Sequence, residues 1–224
     1  MTYHAIMASP LGDILLCADH QGLSGLYFVG QGDCPQVSGL PEQPMPRADR
    51  PSDGMMAGQA IRDFRAHRIS TGDMFSRPGC ATRALAARSG SADDAPPRIL
   101  KEGASSDVQS LFLMAQRELA EYFAGRRTSF DVPLMLQGTE FQKKIWRALL
   151  AIPYGTLSSY GEVARSAGFS ARHGRPAGAA VGRNPVTIII PCHRVVSGTQ
   201  ALTGYTGGLE RKFALLELEG FSLF

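Results

Sequence analysis

The sequence predicts a two-domain α/β protein, with a small sheet-and-helix domain over residues 1–135 and a mainly helical domain over 136–224. Three observations predict it. Short runs of strand-forming residues, bounded by turn formers, crowd the start of the chain. Three times a serine or threonine stands three positions before a Glu or Gln at the head of an apolar-periodic stretch, the spacing of a capping box. Two short helices joined by a brief loop then form a helix-turn-helix pattern.

Residues 3–8, 13–18 and 23–29 read as strands, separated by Ser9-Pro10-Leu11-Gly12 and Asp19-His20-Gln21-Gly22. From about 31 to 104 the composition changes, with 8 of the 14 prolines and many Gly, Ser and Ala. That stretch reads as a long insertion, mostly loop or disordered, with a short helix around 55–69. Arg62, Arg65 and Arg68 on that helix suit a solvated face better than a nucleic-acid contact. Order returns at Ser106-x-x-Gln109, after which Val108, Leu111, Ala115, Leu119 and Tyr122 recur at helical intervals until Gly125. Thr139-x-x-Gln142 opens a helix bearing Phe141, Ile145 and Leu149, stopped by Pro153. Ser159-Tyr160-Gly161-Glu162 opens a third, of about two turns, ending at Gly168. The second helix of the pair runs from Arg175 to Arg183 and is closed by Asn184-Pro185. The apolar run 186–190 reads as a buried strand, and Leu209, Phe213 and Leu216 mark a last helix that ends at Glu219.

Composition bounds the function. The chain has 224 residues, 44% of them apolar and 19% charged, enough for a sizeable core. No run approaches the apolar length of a membrane span, and Asp13 interrupts the first apolar stretch, so no secretory leader is expected. Cysteines 17, 34, 80 and 192 form no CxxC pair, which fits reduced thiols in a cytoplasmic protein. The five scattered histidines give no zinc spacing, and no metal or cofactor is expected. The net charge of +3 is uneven: residues 138–224 hold 10 Lys/Arg against 5 Asp/Glu, whereas 1–137 hold 13 against 15. A basic C-terminal half suits a polyanion.

Pro191-Cys192-His193-Arg194-Val195-Val196 carries the chemistry. The thiolate is the attacking form of cysteine, and an adjacent imidazole is one of few groups able to generate it near pH 7. Taken alone, Cys192 reads equally as a small buried hydrophobe. The helix before it, Arg175-Pro176-Ala177-Gly178-Ala179-Ala180-Val181-Gly182-Arg183, has almost no large side chains on any face. Such a helix is built for close approach, either to a nucleic-acid groove or to a neighbouring helix.

Residues 122–220 resemble the O6-alkylguanine-DNA alkyltransferases. The resemblance rests on Tyr122-Phe123-x-Gly125, Gly138-Thr139-x-Phe141-Gln142, Ile152-Pro153-Tyr154-Gly155, Ser159-Tyr160, Gly182-Arg183-Asn184-Pro185, the hexapeptide at Cys192, Gly204-Tyr205-x-Gly207-Gly208 and Leu215-Leu216-x-x-Glu219-Gly220. Ser9-Pro10-Leu11-Gly12 and Gly25-Leu26-Tyr27-Phe28 also resemble the family's N-terminal domain. The resemblance implies a ribonuclease-H-like first domain and a winged-helix-like second one. It implies double-stranded DNA carrying O6-alkylguanine as partner, bound through the minor groove by a monomer, with the lesion extruded from the stack. Arg175, or Arg172 as fallback, would fill the vacated stack, and Arg183, Ser159, Ala177 and Gly178 would lie at the DNA. Cys192 would accept the alkyl group irreversibly, His193 would take the thiol proton through a water, and Glu219 would support the imidazolium. Asn184 would brace the turn. Tyr160 would donate to a ring nitrogen, and Thr206 would contact O6. Tyr205, Val195, Pro185 and Val181 would complete the pocket.

Two departures stand out. Val181 occupies a position where the family often has asparagine, and the insertion has no counterpart. A recognition module that binds alkylated DNA without repair would lack the cysteine, usually for tryptophan; here Cys192 is present and the single tryptophan is Trp146. A thiol hydrolase would need an oxyanion hole and has no use for the helix-turn-helix. A DNA-binding regulator would need a sensing domain or a metal-binding cysteine cluster. By sequence alone Glu219 reads as an exposed helix-end carboxylate.

Overall fold

Strands β1 (Tyr3–Met7), β2 (Ile14–Asp19) and β3 (Gly22–Phe28) form within a residue of their predicted limits. They are seen in a computed structural model that describes residues 1–41, 95–100, 103–198 and 204–221. The first turn closes with Gly12 N donating to Ser9 O (3.1 Å), and the second with Gln21 N donating to Asp19 Oδ1 (2.8 Å). Gly22 has φ +155°, and a Cβ there would lie 2.8 Å from the Pro133 carbonyl oxygen, so only glycine fits. The sheet order is β3-β2-β1-β4, all antiparallel.

Strand β4 (Arg98–Ile99) pairs with β1 through Ala5↔Ile99. Residues 98–99, near the end of the stretch read as an insertion, thus belong to the sheet. Two residues are too few to show a periodicity. The helix expected at 55–69, with Arg62, Arg65 and Arg68, lies outside the described residues, as does Cys80.

Helix α1 (Ser106–Phe123) lies across the sheet and buries Val108, Phe112, Ala115, Leu119 and Tyr122. Phe112 takes the core position expected for Leu111, which is only half-buried. The first expected capping box is absent. Ser105 is the N-cap, Ser106 is already helical, and Gln109 Nε2 donates instead to Ala104 O (2.8 Å). The other two boxes form: Gln142 N donates to Thr139 Oγ1 (3.2 Å) ahead of α2 (Glu140–Leu150), and Glu162 N to Ser159 Oγ (3.2 Å) ahead of α3 (Tyr160–Ser166). A 3-10 turn (Ala171–His173) leads into α4 (Gly174–Val181), and α5 (Leu209–Leu218) closes the described chain. A short parallel pair, β5 (Ser158–Ser159) with β6 (Val195–Val196), ties the start of α3 to the segment after Cys192. The result is a mixed α/β fold, with a small sheet and several helices.

One hydrophobic cluster joins residues from both sides of position 136, among them Leu26, Phe28, Tyr122, Trp146, Val186, Ile188, Cys192 and Leu215. Main-chain bonds cross the same divide: Leu26 N donates to Pro185 O (2.8 Å), and Thr187 N to Leu26 O (3.1 Å). Among the described residues no helix is long and apolar enough to cross a membrane.

Candidate active site

The segment from Asn184 to Arg194 is wholly buried apart from a half-buried Pro185. Residues 186–190 are not the strand the apolar run predicted. Val186 makes one isolated bridge to Leu26, and the chain then turns tightly, with Ile189 N on Thr187 O (2.9 Å) and Ile190 N on Val186 O (3.0 Å). Ile188 at the bend has φ +71°. A β-branched residue is strained there by about 1–3 kcal/mol, and it is held because its side chain is fully buried. A five-residue run with four apolar side chains suits a buried turn as well as a buried strand, and periodicity does not separate them.

The turn carries Cys192 at the head of a 3-10 turn (Cys192–Arg194). Asn184 Nδ2 donates to Ile190 O (2.8 Å) and to Cys192 Sγ (3.1 Å), while its Oδ1 accepts from Val186 N (3.1 Å). Burial pushes the Cys192 thiol up to about 11, against the pull of Asn184 and of the Lys212 cation toward the thiolate. At neutral pH the resting group is therefore a thiol.

Glu219 gathers the next layer. It caps α5 and is 3% exposed, so the expected surface carboxylate is in fact interior. Its Oε1 lies 2.8 Å from His193 Nε2 and accepts from Tyr122 Oη (2.8 Å) and Arg194 Nη2 (2.9 Å); Oε2 accepts from Arg194 Nε (2.9 Å) and Gly155 N (3.2 Å). Arg194 Nη1 also donates to Ile152 O (2.6 Å). Burial would raise the Glu219 carboxyl, yet the bonds and charge of His193 and Arg194 outweigh it and hold the group at about 2. Burial lowers His193 from its ordinary value, more than Glu219 raises it. With Nε2–H turned to the carboxylate, Nδ1 is the basic nitrogen. It is buried without a hydrogen-bond partner among the described residues.

A cavity of about 370 Å³ opens beside Cys192, lined also by Tyr160, Gly178, Val181, Gly182, Gly204, Tyr205 and Thr206. The cysteine, Tyr160, Tyr205, Thr206 and Val181 are thus brought together as expected from the resemblance. Tyr205 Oη is buried without a partner among the described residues, and Thr206 Oγ1 donates to Gly182 O (3.0 Å). Pro185 and Val195 do not line the cavity. The carbonyl of Pro185 accepts from Leu26, and that of Val195 from Lys212 Nζ (2.7 Å).

Helix α4 answers the choice left open by its small residues. Ala177, Ala180 and Val181 are buried, and Trp146 Nε1 donates to Ala180 O (2.9 Å), so one face packs on the neighbouring helices. Ala177, expected at the DNA, is 0% exposed on that packed face, a correction that follows from its i, i+3 relation to Ala180. Gly178 faces the cavity. Arg172, Arg175 and Arg183 are exposed, and Ser159 is the half-buried N-cap of α3.

Sequence reasoning gave no task to Tyr122, Arg194, Gly155 or Lys212. Tyr122, Gly155 and Arg194 lie in motifs that carry the family resemblance, which was the available signal. Lys212 is 1% exposed within α5, and its burial lowers it to about 8. Among the described residues no three His, Cys, Asp or Glu side chains cluster as metal ligands.

Residues 140–221 match the family model for the 6-O-methylguanine DNA methyltransferase DNA binding domain. The methylated-DNA–protein-cysteine methyltransferase of Mycobacterium tuberculosis H37Rv is 54% identical over 108 residues, covering 48% of this chain and 65% of that protein. The chain thus spans just under two thirds of the mycobacterial relative's length. The protein of the same name from Methanosarcina acetivorans is 50% identical over 112 residues, covering 50% of this chain and 71% of the relative. The crystal structure of Mycobacterium tuberculosis O6-methylguanine methyltransferase superposes with a TM-score of 0.59 at 32% identity, over 98% of this chain and 93% of that one. That of Mycobacterium tuberculosis OGT in complex with DNA superposes with a TM-score of 0.61 at 32% identity, over 96% and 92%. A buried Cys-His-Glu array opening on a cavity beneath an arginine-flanked helix, together with these likenesses, makes the chain a member of the O6-methylguanine-DNA methyltransferase family.

Proposed function

We propose that this protein repairs DNA by moving an alkyl group from guanine O6 to Cys192 in a single, irreversible turnover. The observation that carries the reading is the Asn184–Cys192 contact beside the cavity, with His193 next in the chain and paired with Glu219 at 2.8 Å. The existence of a DNA complex of the mycobacterial relative supports DNA as the partner.

In the proposed reaction the extruded base enters the cavity and Cys192 Sγ attacks the alkyl carbon in line with O6. The S–C bond forms as the C–O6 bond breaks, and the bonding pair leaves with guanine. The thiol proton passes through a water to His193 Nδ1, and Glu219 stabilises the imidazolium at Nε2. Tyr160 donates a hydrogen bond to a ring nitrogen of the departing base, and Thr206 lies toward O6. Guanine then takes up one proton, which balances the one lost by sulfur. Tyr205 and Val181 wall the alkyl group. Arg175, with Arg172 as the alternative, replaces the base in the stack, and Arg183 contacts phosphate. No cofactor enters this scheme.

The finer architecture belongs to the same reading: a ribonuclease-H-like part up to about 135, a winged-helix-like part from 136, and minor-groove binding by a cytoplasmic monomer. The test is mass spectrometry after incubation with a duplex carrying one O6-methylguanine. One methyl on the Cys192 peptide, stoichiometric with lesion lost and absent in Cys192→Ala, is the expected result. Tight binding with no mass gain would make the protein a recognition module.

A further inference from the structure

Tyr122 belongs to the Tyr122-Phe123-x-Gly125 stretch, for which the proposed chemistry has no task. It sits in the last turn of α1, fully buried. Phe123, Phe130 and Tyr154 surround its ring at centroid distances of 5.4–6.2 Å. Packing of that kind would be served equally by phenylalanine. The hydroxyl is therefore the informative atom, because burying it is costly unless it is bonded. It donates to Glu219 Oε1 at 2.8 Å, the oxygen that also meets His193 Nε2 at 2.8 Å.

We propose that Tyr122 is a positioning residue of the acceptor site, whose hydroxyl shares Glu219 Oε1 with His193 and so sets the pH at which His193 can take the Cys192 proton. This rests on the alkyl-transfer reading above. A donor to a carboxylate draws off the negative charge that the imidazolium would otherwise use. The charged and titratable groups around the pair are Arg194 and Cys192 from the same turn, Tyr154 before β5, Lys212 from α5 and Tyr122 from α1. Arg194 and Lys212 are cations that disfavour the imidazolium. Tyr122 is the neutral group of this set bonded to Glu219, so its hydroxyl can be deleted without altering the local charge.

The experiment is Tyr122→Phe. Single-turnover transfer from an O6-methylguanine duplex is followed against pH, and His193 is titrated by NMR in the free protein. Transfer needs neutral His193, so its rate falls as pH drops through the His193 pKa. Without the hydroxyl, Glu219 holds the imidazolium more strongly, and that acid limb moves to higher pH by about half to one unit. At a fixed pH below the limb the rate falls roughly 3- to 10-fold, while the plateau above it stays within about twofold. A lowered plateau with an unmoved limb would mean a purely structural role and overturn the proposal. Tyr122→Leu, which disrupts the ring packing as well, gives the thermal-stability loss to be expected of packing alone. If the wild-type protein transfers no alkyl group, the functional reading fails, and the NMR titration still decides whether Tyr122 tunes His193.

Discussion

Asn184 and Cys192 are joined by a hydrogen bond from the amide nitrogen to sulfur, at 3.1 Å, made by the same nitrogen that holds Ile190 O at 2.8 Å. One side chain thus fixes both the shape of the turn and the position of the proposed nucleophile. It also places a donor where negative charge develops on sulfur, against a burial that raises the thiol to about 11.

Asn184→Ala removes both functions. The single-turnover transfer rate is expected to fall about 10- to 100-fold, corresponding to roughly 1–3 kcal/mol for a buried bond to a charged group. Stopped-flow or quench kinetics on an O6-methylguanine duplex provides the check, and an unchanged rate would remove Asn184 from the site.

Stability should depend on acid in a defined direction. Glu219 is held at about 2 against an ordinary 4.5, so its contribution is complete above pH 4.5 and is lost as pH falls toward 2. His193 is lowered from 6.5, so protonating the unfolded chain below that pH also favours unfolding. Melting temperature is therefore expected to drop below about pH 6.5 and again below about 4.5. Glu219→Gln should be less stable at pH 7 and should flatten the lower part of the curve.

The turn that carries Cys192 hangs on the N-terminal sheet. Thr187 Oγ1 donates to Leu26 O at 2.8 Å, beside the main-chain bond from Thr187 N. Thr187→Val keeps the shape and loses the hydroxyl bond, an expected cost of about 1–2 kcal/mol in chemical denaturation. A slower transfer rate should accompany it, because the strained bend at Ile188 is then less firmly held.

Arg172 and Arg175 are expected to separate by assay. Arg175→Ala should lower transfer from a duplex at least about tenfold yet leave transfer from the free modified base nearly unchanged, since only extrusion is affected. Arg172→Ala should weaken duplex binding and reduce the salt slope by about one. Exchanged phenotypes would exchange the two assignments.

Legibility in the sequence followed chain distance. Asn184, Cys192 and His193 lie within ten residues, so one short stretch held the candidate nucleophile and base, while the bracing role of Asn184 came from the family resemblance. The bond between Tyr122 and Glu219 spans 97 positions, and nothing local in either residue reveals it. Glu219 itself looked like a surface group because helix ends usually are; its burial follows from donors in three other segments. Capping boxes were readable at Thr139 and Ser159, where side chain and spacing suffice. At Ser106 an adjacent serine took the cap, a choice that spacing alone does not resolve.

The convergence on Glu219 also orders the molecule's biogenesis. Its partners sit at 122, 155, 193 and 194, so every one of them leaves the ribosome before their common acceptor does. Until residue 219 emerges, Arg194 lacks the carboxylate it pairs with among the described residues, and burying it without that partner carries a heavy desolvation cost. A nascent chain therefore has its cysteine before it has the buried array around it, and that array is completed only once residue 219 has emerged.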